Sequence, residues 1–384
     1  MLSSVWTIAK NAFIEVIRQP VYAVLLVLGM VLIAFSPSVT MFSMVEDEKL
    51  MVDMALGTML MLGLVMSVFG ASQVISREIE QKTAGAVLSK PIGRILFVTG
   101  KFLGVTLAMA LTLYLLSITL LITLRIGVPS SASWELDWPA ALGLLCPGLL
   151  AAGLGLYANF FYRWNFTSTA LLLAVPLYTV GFALLLLVNQ NWQLDPLPHV
   201  FLMRNAIQVA IAALLVALGV WVLSSVAVAA STRLNVVMSA IVCLAVFFVG
   251  MVSQFLFGRF AQFSLSFTTL GGIVFAVGAL FFFFGPLNGW VKALVGGPAV
   301  AAIAAACFFL PPARGVAASF AGVYAWIARR VVPDLEVFWV ADRLMHKVPY
   351  IPPFYVAAAA GYAVAFCLAM LALSAYLFER REVV

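Results

Sequence analysis

Charged residues are scarce in this chain of 384 residues: Asp, Glu, Lys and Arg together make up 9%, whereas 65% of the residues are hydrophobic. Soluble domains contain about a quarter charged residues, so the composition excludes a soluble globular protein. Apolar runs long enough to cross a bilayer recur along the whole chain, and they predict an all-α polytopic membrane protein. Because no polar stretch is long enough for a separate soluble domain, we expect residues 1–384 to form a single transmembrane domain.

Residues suited to catalysis or metal binding are also few. The two histidines cannot supply a histidine-rich metal cluster, and the four cysteines lie far apart in apolar runs, as buried hydrophobic residues do. No carboxylate or histidine lies in the middle of an apolar run, which counts against an ion-coupled carrier and an intramembrane enzyme. A P-loop is absent as well, since Gly100-Lys101 is followed by Phe102 instead of Ser or Thr. We therefore expect no enzymatic activity and no cofactor in this chain.

The chain is nevertheless basic, with a formal net charge of +6. In a membrane protein, Lys and Arg mainly set topology and meet anionic lipid headgroups. The charge therefore indicates the lipid bilayer as a partner and does not predict binding of nucleic acid.

The apolar runs predict about ten spans, within a range of about 8–10. Two of these apolar runs, 267–284 and 291–310, could be a pair of spans or could form a re-entrant hairpin. The other eight predicted spans are 21–35, 54–75, 95–124, 138–161, 166–188, 206–229, 234–257 and 354–378. With an even number of spans, the inner segments carry more Lys and Arg than the outer ones. The distribution places both termini in the cytoplasm.

Two predicted outer segments have distinct compositions. An acidic loop at 46–49, followed by Asp53, precedes the second span. The segment 313–350 contains an amphipathic helix predicted over 314–332 and several basic residues, and an even span count makes it extracytoplasmic.

Within the spans, Gly100 and Gly104 predict a close helix contact.

In the N-terminal residues 3–19, apolar and polar residues recur with the spacing of an amphipathic helix. Trp6 and Phe13 belong to its predicted apolar face, and Lys10 belongs to its polar face. This pattern predicts a helix lying in the membrane interface. The alternative is an ordinary extension of the first span.

The most polar stretch lies between the second and third spans, at 76–101. Its excess of basic residues places it in the cytoplasm. Thr83 can cap a short helix over 84–88, and Lys90-Pro91 ends it because the residue before proline avoids the helical region. This segment predicts a compact cytoplasmic contact site, although an ordinary positive-inside loop is the alternative.

The sequence Ser76-Arg-Glu-Ile-Glu-Gln-Lys-Thr83, followed by Leu88-Ser-Lys-Pro91 and Gly100-Lys101, resembles type 2 ABC transporter permeases. The resemblance implies a cytoplasmic coupling helix that docks on a separate ABC ATP-binding subunit, which holds the ATP. It also implies an exporter in the cell membrane that works as a homo- or heterodimer of permeases, with residues 1–19 as its elbow helix. The implied docking residues are Arg77, Glu78, Glu80, Lys82, Thr83, Leu88, Ser89, Lys90, Pro91, Arg94, Gly100 and Lys101.

The chain also departs from this family. The family core has six spans, fewer than predicted here, and Gly85 should weaken the coupling helix by about 1 kcal/mol relative to alanine. Two other functions stay open: a non-transporting membrane scaffold coupled to an ABC ATPase, and an ATP-independent carrier or channel. The sequence does not indicate which substrate would be transported.

Overall fold

The computed structural model describes residues 2–40, 47–80, 94–127, 137–190, 192–193, 200–252, 333–344 and 350–379. These residues form helices and no strands. The helices are α1 (Leu2–Ile17), α2 (Pro20–Thr40), α3 (Asp47–Glu80), α4 (Arg94–Ile126), α5 (Trp138–Tyr162), α6 (Phe166–Leu185), α7 (Val200–Ser231), α8 (Val236–Met251), α9 (Ala341–Leu344) and α10 (Pro353–Glu379), with a 3-10 helix at Glu336–Phe338.

Seven of the helices, α2 to α7 and α10, are long and apolar enough to cross a membrane. Their positions match seven of the predicted spans, and they indicate a multi-pass membrane protein. The predicted span 234–257 is represented by the shorter α8, which has 16 residues. The predicted spans 267–284 and 291–310 and the amphipathic helix over 314–332 lie outside the described residues.

The core of the bundle consists of α3, α4 and α7. In their most apolar stretches, 61% of the residues are buried in α3 and α4 and 56% in α7, against 22% in α5 and 17% in α6 and α10. The remaining apolar surface of the outer helices faces away from the protein, as lipid-facing surface does.

Helices α5 and α6 form a hairpin that packs mainly on itself. Asp137 caps the start of α5 by accepting a hydrogen bond from the Ala140 amide at 3.0 Å. Pro147 lies inside α5, and near this point the Tyr178 hydroxyl donates to the Leu144 carbonyl at 3.0 Å. The turn is three residues long, and Asn165 caps α6. The hairpin therefore holds its own geometry by internal contacts.

The chain divides into two compact units, residues 1–247 with 337–384 and residues 248–336. In the described part of the second unit, the Leu335 amide donates to the Gly250 carbonyl at 3.2 Å. In the first unit, the short segment 337–344 packs against the interior of the bundle. Its Phe338 is 2% exposed and lies beside Gly219 of α7 and Tyr362 of α10. This part of the predicted loop 313–350 thus contributes to the core, which its modest hydrophobicity did not indicate.

One local prediction requires correction. The acidic residues Asp47, Glu48 and Asp53 lie in the first turns of α3 instead of in a loop, so this helix is longer than the predicted span.

Residues 2–17 form the predicted helix α1, in which Trp6 is 63% exposed. The buried face of α1 includes Ala9, Ala12 and Val16, whose small and branched side chains fit closely against α4.

Candidate functional site

The candidate coupling segment 76–101 is described at its two ends. Arg77, Glu78 and Glu80 lie in the last turn of α3, and Arg94 is the first residue of α4. Gly100 and Lys101 lie inside α4. The other predicted docking residues lie outside the described residues, and so does the predicted coupling helix: Lys82, Thr83, Leu88, Ser89, Lys90 and Pro91.

Gly100 and Gly104 mark the place where α1 crosses α4. A Cβ added at Gly104 would lie 2.4 Å from the Cβ of Ala12 and 2.6 Å from the Ala9 carbonyl oxygen. One added at Gly100 would lie 2.8 Å from the Cβ of Ile8. The predicted close contact is confirmed, and its partner is the N-terminal helix. These two glycines therefore serve the packing of α1 on α4.

Lys101 is also buried beneath α1. It is 4% exposed, its ammonium lies 3.6 Å from a carboxylate oxygen of Glu15 and 5.6 Å from the centre of the Phe97 ring. The sequence placed Lys101 in the water-facing segment, and the structure corrects this position. Its charge is balanced within the protein, because leaving a buried ammonium unpaired would be costly.

The ends of five helices meet where α1 crosses α4, and we call this the α1 end of the bundle. Ser72 of α3 and Ser231 of α7 have hydroxyl oxygens 3.2 Å apart. The rings of Phe97 in α4 and Phe378 in α10 stack at 5.7 Å. Arg233, in the turn after α7, donates to the Leu377 carbonyl at 3.0 Å. The two helices that flank the candidate coupling segment are thus connected to α1, α7 and α10.

At the opposite end, Arg125 joins α4 to both helices of the α5–α6 hairpin. Its Nε donates to the Asp137 carboxylate at 2.9 Å, and its two terminal nitrogens donate to the Leu185 and Val188 carbonyls. Asp137 is 2% exposed, and its other carboxylate oxygen caps α5. One arginine therefore satisfies a helix-capping carboxylate and the carbonyls at the end of α6.

Sequence reasoning missed this cluster. The signal available was a pair of opposite charges on either side of a short connection, at Arg125 and Asp137. The two carbonyls at the end of α6 could not be assigned from the sequence, because they come from a distant part of the chain.

In the described ranges, no group of three or more His, Cys, Asp or Glu residues could hold a metal ion. In each of the two clusters above, the basic residue is paired with a carboxylate, as in structural ion pairs: Lys101 with Glu15, and Arg125 with Asp137.

Comparison of the chain with protein-family models, with curated proteins and with solved structures finds no match. What the fold defines is a helical, multi-pass membrane protein.

Proposed function

We propose that this chain is the membrane-spanning permease subunit of an ABC exporter, driven by a separate ATP-binding subunit that docks on residues 76–101. The complete subunit would have about ten spans, with α1 as an interfacial elbow helix. It would work in the cell membrane as a dimer of permeases. Its substrate class stays open.

One observation carries the proposal: the segment between Glu80 and Arg94 joins the two most buried long helices, α3 and α4. A displacement of this segment would act directly on the core of the bundle. The contacts at the α1 end would pass it on to α1, α7 and α10, because the stacked and hydrogen-bonded helix ends resist independent movement.

The distribution of exposed basic residues supports a cytoplasmic position for the α1 end. Lys10, Arg18 and Arg233 are exposed there, whereas Arg125 at the opposite end is mostly buried and paired with Asp137. Exposed Lys and Arg favour the cytoplasmic side. The C-terminal ends of α3 and α10 also lie at the α1 end. This orientation would therefore place the coupling segment and both termini in the cytoplasm.

Leu88→Asp tests the docking mechanism. In the proposed complex Leu88 is buried in an apolar groove of the ATPase, which is worth roughly 1.5–3 kcal/mol. Aspartate would lose this contribution and bury an unpaired charge, so the ATPase should be lost from the purified complex. The measurement is co-purification of the ATP-binding subunit at equal membrane levels of both permeases.

Leu88→Met is the matched control, because it keeps the volume and apolar character of the side chain and should retain the ATPase. Full retention of the ATPase and of its coupled activity by Leu88→Asp would contradict the docking mechanism. If docking fails as expected but no substrate crosses the membrane in vesicles of the wild-type complex, the scaffold function is favoured over transport.

The orientation has a separate test. A reporter that fluoresces only in the cytoplasm, fused after Val384, should give signal. A fully expressed but dark fusion would show that the C-terminus lies on the other side.

A further inference from the structure

The turn between α5 and α6 presents an exposed aromatic cluster, which we call the hairpin tip. Its residue Phe160 is 82% exposed, and its other aromatic residues are 53% to 63% exposed. Within the tip, the rings of Tyr157 and Phe161 lie 4.5 Å apart and those of Tyr162 and Trp164 lie 5.6 Å apart. The members of the hairpin tip are Tyr157, Phe160, Phe161, Tyr162, Arg163 and Trp164.

The turn itself holds Arg163 outward. Arg163 ends α5 in the left-handed conformation with φ 55°, and its amide donates to the last carbonyls of α5. The Asn159 side chain donates to the Trp164 carbonyl at 2.6 Å, and Asn165 caps α6. These bonds fix the backbone of the turn without using the Arg163 side chain.

Arg163 is the only charged residue in the sequence from 138 to 194. It is exposed, and its guanidinium takes part in no ion pair with the residues that the structure describes. The hairpin therefore carries one uncompensated positive charge, surrounded by aromatic rings.

Helix length places the tip at a membrane surface. Helix α6 has 20 residues and α5 has 25. At 1.5 Å per residue they span about 30 and 37 Å, which matches a hydrocarbon core of about 30 Å. Trp138, at the other end of α5, is 62% exposed. Aromatic residues thus mark both boundaries of the hairpin, as in the aromatic belts of membrane proteins.

The two boundaries differ in charge. Beside Trp138, the cation Arg125 is bound to Asp137 and two carbonyls, so that surface offers no free cation from these residues. Beside Trp164, Arg163 is free of protein partners in the described structure. Helix α1 contacts α6 and adds exposed Lys10 and Arg18 to the same end.

We propose that the hairpin tip is a binding site for anionic phospholipid headgroups. The Arg163 guanidinium binds the lipid phosphate, for which its planar donors are suited. Tyr162 and Trp164 lie at headgroup level with their rings toward the acyl chains. The charge selects anionic over zwitterionic lipid, since only the former has a net negative headgroup. This inference requires only that the hairpin spans a bilayer and does not depend on ATP-driven transport.

Lipid-specific quenching of Trp164 tests the proposal. The full chain is reconstituted in phosphatidylcholine vesicles that contain either brominated phosphatidylglycerol or brominated phosphatidylcholine at the same mole fraction. The contribution of Trp164 is the difference between wild-type fluorescence and that of Trp164→Phe. One basic residue at a membrane surface enriches anionic lipid up to about fivefold, so the phosphatidylglycerol should quench Trp164 more strongly.

Arg163→Gln should lower the quenching ratio of the two lipids toward one, and Arg163→Lys should retain the wild-type ratio. The Trp138→Phe difference signal, from the boundary where Arg125 is paired with Asp137, should show a ratio of one in all proteins. An unchanged unfolding temperature in Arg163→Gln shows that the fold is intact. Equal quenching of wild-type Trp164 by the two lipids, or a preference that Arg163→Gln leaves unchanged, would overturn the proposal.

A photo-cross-linking residue at Phe160 in native membranes separates lipid from protein partners. Cross-linking to phospholipid supports the proposal. Cross-linking mainly to another protein would show that the tip is a protein interface instead.

Discussion

The two boundaries of the α5–α6 hairpin use the same kind of residue in opposite ways. At one boundary, Arg125 is mostly buried and donates to Asp137, Leu185 and Val188. At the other, Arg163 is exposed, with its backbone fixed and its side chain unused. The comparison shows that the role of an arginine in this protein depends on what surrounds its guanidinium. Residue type and position in the membrane do not by themselves determine that role.

The energetic consequence follows from burial. Removing water from the Arg125 and Asp137 charges is costly, and only the complete set of partners compensates for it. Arg163 keeps its hydration and therefore contributes little to stability, although its charge remains available to a lipid. A stability measurement should separate the two positions clearly.

The largest expected effect is that of Arg125→Met. The change leaves the Asp137 carboxylate buried without its cation, and it leaves the carbonyls at the end of α6 without a donor. We expect a loss of about 3–5 kcal/mol in the free energy of unfolding, the range for breaking a buried ion pair from one side. Unfolding in detergent micelles, followed by circular dichroism, would measure it.

Arg163→Gln is the matched control at the other boundary, and it should change the free energy of unfolding by less than about 0.5 kcal/mol. Equal losses for the two variants would contradict the distinction between a structural and a free arginine.

A smaller effect is expected from Gly104→Ala, which tests the tight packing of the α1 end. The added Cβ would lie 2.4 Å from the Ala12 Cβ, so α1 must shift away from α4. Overpacking of this kind costs about 1–3 kcal/mol. Gly361→Ala is the control, because nothing lies within 4 Å of its added Cβ and alanine favours helix by about 1 kcal/mol. Stability that rises in both variants would show that α1 does not press on α4.

Lys101→Met should have a still smaller effect, of about 1 kcal/mol. Its partner Glu15 has a side chain that is 39% exposed, so water can hydrate the carboxylate after the lysine is removed. Asp137 has no such access, and for this reason the two ion pairs are expected to differ. Lys10→Met, on the exposed face of α1, should leave unfolding unchanged. A loss as large as that of Arg125→Met would show that Glu15 is sequestered together with Lys101.

The sequence predicted those features that hydrophobicity alone determines. Seven long helices occur where the sequence has long apolar runs, and their order follows directly from the sequence. The contact at Gly100 and Gly104 was also predictable, because small residues spaced four apart permit close approach. Its partner helix was not, since many helices could supply a complementary face.

Burial of individual polar residues was predicted less well. Lys101 follows a basic stretch and was therefore assigned to water, but the packing of α1 covers it. The segment 337–344 lacks a long apolar run, and yet its Phe338 fills a space between α7 and α10. Both positions depend on contacts between distant parts of the chain, which local composition does not record. The docking role proposed for residues between Arg77 and Lys101 stays a prediction from the sequence.

The smallest expected effect tests whether the hairpin keeps its geometry by internal contacts. Tyr178→Phe removes the hydroxyl that donates to the Leu144 carbonyl near Pro147, and it leaves the ring in place. Hydrogen bonds between membrane helices contribute about 0.6 kcal/mol on average, so the loss of stability should be close to this value. Tyr114→Phe is the control: it removes the 2.8 Å hydrogen bond to Thr179 that joins α4 to the hairpin instead of joining α5 to α6. Distances between spin labels on α5 and α6 should broaden in Tyr178→Phe and stay unchanged in Tyr114→Phe. Broadening in Tyr114→Phe alone would show that α4, and not the α5–α6 contact, sets the shape of the hairpin.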